Sequence, residues 1–166
     1  GTGEAVSIAG YFNTMLDQSM DWHTAADIRA QWGGTFCLKG VMSAADARRA
    51  VEIGADAIMI SNHGGRQLDG SRAPFDQLRE IVDAVGGEIE IICDGGVRRG
   101  THVLKSLCAG ATAASGGRLY LYALAAAGQA GVERAIMLLK DEIERGMKLM
   151  GVTSVAQLTP DRLRWR

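Results

Sequence analysis

The chain has 166 residues, enough for one domain with a hydrophobic core, and its 18 basic and 19 acidic residues leave a formal net charge of −1. The sequence has no basic cluster of the kind that binds nucleic acid and no apolar run of about 18 residues that would span a membrane. Its three cysteines are odd in number and far apart, which argues against a structural disulfide or a metal site and predicts a reducing, cytoplasmic compartment.

A repeating alternation of short apolar strands and amphipathic helices is predicted after an irregular segment, 1–20, and a first helix, 22–31, which Asp21 or Ser19 would cap. The strands are predicted at 35–39, 57–60, 89–93 and 111–115. The helices that follow them are predicted at 44–53, 75–85, 101–109 and 120–127, with a last long helix at 132–150. Six apolar positions of that last helix are predicted to face the core: Met137, Leu138, Leu139, Ile143, Met147 and Leu149.

Four strand–helix units at this spacing indicate an α/β fold with a parallel sheet. The residues at or just beyond the carboxyl ends of these strands are Lys39, Ser61, Asp94 and Gly117, and the connection between the second and third units is the longest. In parallel α/β folds, ligand sites form beyond the carboxyl ends of the strands. The chemically active side chains of this sequence are therefore expected to meet at one edge of the sheet.

The long connection begins with the decapeptide Ile60–Asp69, which reads I-S-N-H-G-G-R-Q-L-D. It places a titratable base, His63, three residues before a fixed cation, Arg66, and the two glycines between them allow a sharp turn. Such a pair can remove a proton from an anionic small molecule. The alternative is a polar surface loop, and the position of the decapeptide at a strand end favours the functional interpretation.

The last two strand ends each combine glycines with an arginine, in Asp94–Arg98 (D-G-G-V-R) and in Gly116–Arg118 (G-G-R). Glycine lets backbone N–H groups approach an anion, the following helix N-terminus adds its dipole, and arginine binds phosphate oxygens in pairs. Together they predict a phosphate site, against the alternative of helix-terminal glycines with solvated arginines. Lys39 and Asp94 are expected either to bind a ligand or to pair structurally, Asp94 with Lys39 or with an arginine.

The stretch Ser61–Gln67 closely resembles the signature of the FMN-dependent α-hydroxy-acid dehydrogenases and oxidases. The resemblance extends in order and spacing through Lys39–Val41, Asp94–Gly100 and Gly117–Tyr122, and so covers essentially the whole chain. Residues 123–132 most resemble the bacterial respiratory L-lactate dehydrogenase branch. One departure is the segment 111–117 (A-T-A-A-S-G-G), which is small and polar where the family has a β-branched strand, and could loosen the phosphate end of the site.

This resemblance implies FMN as the cofactor and a role for each matching residue. His63 would be the base that takes a proton from an (S)-2-hydroxy acid, and Arg66 would bind the substrate carboxylate. Lys39 would lie near the N1/O2 edge of the flavin, Ser61 would contact the flavin, and Asp94 would bind the ribityl hydroxyls. The phosphate-binding group would be Gly95, Gly96, Val97, Arg98, Gly117 and Arg118.

The resemblance also implies the fold, a (β/α)₈ TIM barrel, for which roughly 250 residues are needed. Four βα units correspond to its second half, so residues 21–166 are expected to be the C-terminal half-barrel and residues 1–20 the tail of a long barrel loop. In membrane-associated members that loop carries the anchor, which extends the expected location to the cytoplasmic face of the inner membrane. The N-terminal half is expected as a separate or missing segment or as another copy, and the full form as a homo-oligomer.

The implied reaction is oxidation of a small (S)-2-hydroxy acid, such as L-lactate, to the 2-oxo acid. Two alternatives remain open at this point. One is another barrel enzyme that binds FMN or phosphate, and the other is a non-catalytic half-barrel that only binds flavin or phosphate.

Overall fold

The structure, a computed structural model, describes Gly10 and residues 14–165. The prediction that residues 1–20 form the tail of a barrel loop therefore lies mostly outside the described residues and stays a prediction. In the described part of the chain, we find no helix with the length and apolar character that crossing a membrane requires.

Four short strands alternate with helices in the predicted order, and the observed bounds of the strands and of the first four helices differ from the predicted ones by at most two residues. The strands are β1 (Cys37–Lys39), β2 (Ala57–Ile60), β3 (Glu90–Asp94) and β4 (Ala113–Ser115). The helices are α1 (Trp22–Trp32), α2 (Ala44–Glu52), α3 (Pro74–Val85), α4 (Gly100–Cys108) and α5 (Arg118–Leu149). Short 3₁₀ turns lie at His63–Gly65, Val155–Gln157 and Pro160–Arg162.

Short polar side chains begin the first helices, as their sequence positions indicate. The Asp21 carboxylate accepts a hydrogen bond from the Thr24 N–H at 2.9 Å at the start of α1. The Ser43 hydroxyl accepts from the Asp46 N–H at 3.1 Å at the start of α2. Helix α3 begins at Pro74, whose missing N–H leaves no unpaired donor in the first turn.

The strands form one parallel sheet in the order β1-β2-β3-β4. Side chains alternate between its two faces, and the face that meets the helices carries Ile58, Ile60 and Ile91, all fully or almost fully buried. They pack in one core against the apolar stripes of α2 and α3, which include Ala47, Ala50, Leu78, Ile81 and Val85. Each fully buried isoleucine or leucine stabilises the fold by about 1.5–3 kcal/mol relative to an exposed one.

The opposite face of the sheet, called here the inner face, carries the alternate side chains Cys37, Lys39, Met59, Ile92 and Asp94. Register pairs Lys39 with Met59 and Met59 with Ile92, so these residues form a row across three strands. Cys37 and Lys39 are exposed, and Met59 and Ile92 are only half-buried. In the described residues no helix covers this face, and β1 and β4 each pair with a single strand. A parallel sheet that is open on one face and at both edges is the geometry expected of a half-barrel.

Helix α5 contains a sharp kink, because Ala127 and Gly128 leave the helical conformation, with Gly128 at φ 56° and ψ −139°. The element is therefore two helical segments, in agreement with the predicted break. The prediction that its apolar positions all face the core is wrong for Met137, Leu138 and Leu149, which are 54%, 45% and 83% exposed. Only one stripe of the helix meets α4, where Ile143 and Met147, one turn apart, pack against Leu104 and Cys108.

Candidate active site

Three side chains from the ends of successive strands meet at the carboxyl edge of the sheet. The Asp94 carboxylate accepts a hydrogen bond from the Ser61 hydroxyl at 2.6 Å, and the Lys39 ammonium lies 3.5 Å from the same carboxylate oxygen. Ser61 and Asp94 are buried, whereas the Lys39 side chain is 54% exposed. Of the alternatives left open by the sequence, Asp94 thus pairs with Lys39, and the lysine still has a free side that can meet a ligand.

The decapeptide turns through three successive residues in the left-handed region: His63 at φ 55°, Gly64 at φ 69° and Gly65 at φ 72°. This conformation is unfavourable for histidine, so the surrounding bonds must hold it. The His63 N–H donates to the Ser61 hydroxyl at 3.2 Å, and the Gly64 N–H donates to the Asn62 side-chain oxygen at 3.0 Å. The turn presents the His63 side chain to solvent at the mouth of the site.

Sequence reasoning assigned no role to Asn62, although an asparagine side chain commonly bonds the backbone N–H two residues further on. Its side-chain oxygen holds the Gly64 N–H, and its amide nitrogen donates to the Arg72 carbonyl at 3.3 Å. Asn62 therefore ties the His63 turn to the far end of the same loop.

Arg118, the first residue of α5, connects the fourth strand end to this turn. Its guanidinium donates to the Gly64 carbonyl at 2.8 Å across a sequence separation of 54 residues. The positive φ of residue 64 favours glycine, and a Cβ there would lie 2.8 Å from the Arg118 Nη2 atom and displace the guanidinium from its bond to the Gly64 carbonyl.

Every predicted site residue except Ser61 lines one cavity of about 290 Å³ at this edge of the sheet. Ser61 lies beneath the cavity, where its hydroxyl is engaged by Asp94 and the His63 N–H, so its direct contact with a flavin stays a prediction. The charged side chains in the lining are four cations and one carboxylate: Lys39, Arg66, Arg98, Arg118 and Asp94. A cleft with this balance attracts anions.

The loop Gly95–Arg98 reaches the cavity through its backbone. Gly95 and Gly96 have φ values of 116° and 72°, which other residues rarely adopt, and a Cβ at Gly95 would come 3.2 Å from the Pro74 side chain. The Val97 side chain is buried, so what Val97 can offer a ligand is main-chain.

The helix that follows this loop has its N-terminus already occupied. Glu142 of α5 accepts from the Gly100 N–H at 2.7 Å and from the Arg99 guanidinium at 2.8 Å. The Arg99 contact, and then the Gly100 N–H, hold the pKa of Glu142 below its usual value. The N-terminus of α4, which was expected to stabilise a phosphate through the helix dipole, therefore already binds the Glu142 carboxylate. Helix α5 begins at Arg118 with no side-chain cap, and its first turn borders the cavity through Gly117, Arg118 and Leu119.

Comparison with known proteins agrees with this geometry. The family description "FMN-dependent dehydrogenase" matches residues 2–165. The L-lactate dehydrogenase of Alcaligenes faecalis is 46% identical over 154 residues, which are 93% of this chain and 41% of that protein. The L-lactate dehydrogenase (cytochrome) of Saccharomyces cerevisiae is 45% identical over 153 residues, or 89% of this chain and 26% of that protein.

Two solved structures bear on the fold. The recombinant flavin-binding domain of baker's yeast flavocytochrome b2 matches 90% of this chain and 39% of its own with a TM-score of 0.87 at 45% identity. Mandelate oxidase with benzoyl-formic acid matches 84% of this chain and 42% of its own with a TM-score of 0.79 at 44% identity. The chain thus spans at most about two fifths of the curated relatives it matches. The sheet and helices correspond to the C-terminal part of the TIM-barrel fold, as predicted.

Proposed function

The chain belongs to the FMN-dependent dehydrogenase family, and from that premise we propose that it forms the flavin- and substrate-contacting part of an enzyme that oxidises an (S)-2-hydroxy acid to the 2-oxo acid. One observation carries the proposal. A base, His63, shares a single cavity with the cations Lys39, Arg66, Arg98 and Arg118. Related proteins support the proposal, because L-lactate dehydrogenases and a mandelate oxidase are 44–46% identical to this chain.

The residues present fit FMN by the chemistry of their donors. Arg98 and Arg118, with the N–H groups of the Gly95–Arg98 loop, would hold a phosphate, and Asp94 would accept from ribityl hydroxyls. Lys39, half exposed beside Asp94, would stabilise negative charge at the N1/O2 edge of the ring. FMN when bound supplies the electron acceptor, while the protein supplies position and charge.

In this proposal His63 and Arg66 divide the work on the substrate. Arg66 binds the carboxylate of the 2-hydroxy acid through paired N–H groups, which orients the carbinol toward the base. His63 accepts one proton as the carbinol becomes a carbonyl. The His63 ring has no hydrogen-bond partner among residues 14–165. These residues position it through the strained turn, in which the His63 N–H donates to Ser61 and the Gly64 N–H donates to Asn62.

The open inner face leads to a proposal about partners. Met59 and Ile92 are half-buried there, and in the part of the chain that the structure describes β1 and β4 each pair with a strand on one side only. We propose that further strands, from an N-terminal half-barrel or from another copy of this chain, cover this face and complete the substrate site.

Anaerobic titration with substrate tests the proposed function. We expect the chain, purified with excess FMN, to bind it and become yellow, and L-lactate but not D-lactate to bleach the flavin absorbance. The His63→Ala variant should keep its yellow colour and lose at least about a thousandfold in bleaching rate, because it lacks the proton acceptor. The matched control is His23→Ala, on the exposed part of α1, which should bleach normally.

Each other result has a defined meaning. Colour without bleaching in the unaltered chain would favour a half-barrel that only binds flavin, or a substrate site that is incomplete without the strands proposed to cover the inner face. Loss of FMN in His63→Ala would mean that the histidine is structural. A folded chain that binds no FMN would contradict the proposal.

A further inference from the structure

His102 lies in the first turn of α4, against the loop that is proposed to hold the FMN phosphate. Its Nδ1 atom is 3.2 Å from the backbone nitrogen of Arg98, a donor, and 3.1 Å from the carbonyl oxygen of Gly96, an acceptor. A single ring nitrogen either carries a hydrogen or presents a lone pair. The two contacts are therefore mutually exclusive, and the loop has two hydrogen-bonding states.

The two states differ in what the loop can offer to an anion. When Nδ1 is an acceptor, it engages the Arg98 N–H, for which no other acceptor is found among the described residues. When Nδ1 is protonated, it donates to the Gly96 carbonyl instead, and the Arg98 N–H is released. Arg98 belongs to the lining of the candidate site's cavity, and in the donor state its N–H has no protein acceptor among the described residues.

We propose that His102 is a positioning residue for the flavin phosphate: the bound anion draws Nδ1 from acceptor to donor, which frees the Arg98 N–H for a phosphate oxygen. The inference rests on the proposed function, since it takes FMN as the anion. If the second ring nitrogen is protonated as well, the imidazolium also places a positive charge next to the backbone of Gly96 and Arg98.

The charges around His102 determine the direction of this coupling. His102 lines a second cavity, of about 480 Å³, together with Lys105, Arg118 and Asp69. This cavity shares Gly95, Gly96 and Val97 with the first. In the loop itself Arg98 and Arg99 follow, and Glu142 of α5 is already paired with Arg99 and the Gly100 N–H. The surroundings are thus mainly cationic, and a dianionic phosphate is the group whose charge would favour a proton on Nδ1. Binding of FMN should therefore be coupled to proton uptake at His102.

Nuclear magnetic resonance tests the inference without any turnover. In ¹⁵N-labelled chain near pH 7.5, we expect the Nδ1 shift of His102 to be that of an acceptor nitrogen. Saturation with FMN should move it to the shift of a protonated nitrogen, and the Arg98 amide should shift with it. Riboflavin, which lacks the phosphate, should change neither signal. An Nδ1 state that is the same with and without FMN would overturn the proposal.

A substitution supplies an independent measurement. His102→Gln keeps a hydrogen-bonding amide but cannot take up a proton. We therefore compare the FMN affinity of the unaltered chain with that of the variant. As the pH falls from about 8 to about 6, the ratio of the first affinity to the second should rise about five- to tenfold, which is the effect of roughly one hydrogen bond. The phosphate's own ionisation cancels in this ratio, because both proteins bind the same ligand. Circular dichroism at each pH verifies that the variant is folded.

Two controls separate the outcomes. His23→Gln, far away on α1, should give a ratio that does not change with pH, and riboflavin affinity should be equal in all three proteins. If the unaltered chain and His102→Gln bind FMN equally at every pH, the inference about His102 fails while the proposed function stands. If the folded chain binds neither FMN nor riboflavin, the proposed function fails and this inference with it.

Discussion

Single residues at this site act mainly by holding one another in place. Ser61 is the clearest case, because its buried hydroxyl donates to Asp94 and accepts from the His63 N–H. It thereby connects the base-bearing turn to the Lys39–Asp94 ion pair at the neighbouring strand ends. The sequence placed Ser61 at the right strand end, but whether its hydroxyl faces a ligand or a neighbour depends on side-chain geometry that no motif contains.

We expect Ser61→Ala to lower the free energy of unfolding by about 1–3 kcal/mol, because the change leaves the buried Asp94 carboxylate and the His63 N–H without that partner. Urea denaturation followed by circular dichroism measures the loss. Ser19→Ala is the matched control, since its hydroxyl bonds Asp17 on the exposed surface and should change stability by less than about 0.5 kcal/mol. Equal stability of the two variants would show that the Ser61 link contributes little.

At the level of elements, the site depends on a contact between two helices. The Glu142 carboxylate of α5 occupies the N-terminus of α4 and so fixes the end of the loop Gly95–Arg98. Sequence reasoning predicted both helices and the kink between the two parts of α5. It could not predict this cap, because Glu142 lies 42 residues after Gly100 and has no local capping signature.

The Glu142 contact should make stability depend on pH. The pKa of Glu142 is lowered in the folded chain, mainly by Arg99. The ionised carboxylate therefore stabilises the fold fully at pH values above the ordinary glutamate pKa. This stabilisation is lost as the pH falls through the pKa of Glu142 in the folded chain. We expect Glu142→Gln to lower the urea midpoint near pH 7 and to match the unaltered chain well below the ordinary glutamate pKa. Glu144→Gln, which removes an exposed pair with Lys140, is the control and should have little effect at either pH. A Glu142→Gln deficit that persists unchanged in acid would rule out this electrostatic origin.

At the scale of the whole molecule, the dominant feature is the inner face, which no helix among residues 14–165 covers. Half-buried Met59 and Ile92 and exposed Cys37 lie on this face, and β1 and β4 are the two edges of the sheet in the described part of the chain. Parallel sheets ordinarily have both faces covered by other parts of the protein, so a parallel sheet with one face in solvent is rare. This is the structural basis for the proposal that a further half-barrel or a second copy packs there.

Mass spectrometry and thiol labelling test that proposal together. We expect native mass spectra dominated by assemblies larger than the 17.6 kDa chain, with Cys37 protected from a thiol reagent. Desolvation raises the pKa of all three thiols, that of Cys37 despite its exposed side chain. Cys93 and Cys108 lie in the core and should react only on unfolding. The internal control is the chain diluted until it dissociates, where Cys37 alone should become reactive. A well-folded 17.6 kDa monomer with reactive Cys37 at high concentration would refute the proposal.

The sequence by itself determined the order and bounds of the strands and helices, because hydrophobic period, caps and glycines act over a few residues. It also determined which side chains reach the carboxyl edge, since parallel strands bring their ends together. Only the tertiary structure decided how these side chains pair, as in Ser61 with Asp94 and Arg118 with Gly64, across separations of 33 and 54 residues. It also decided that Met137, Leu138 and Leu149 are exposed, because the exposure of a helix face depends on which neighbours pack against it.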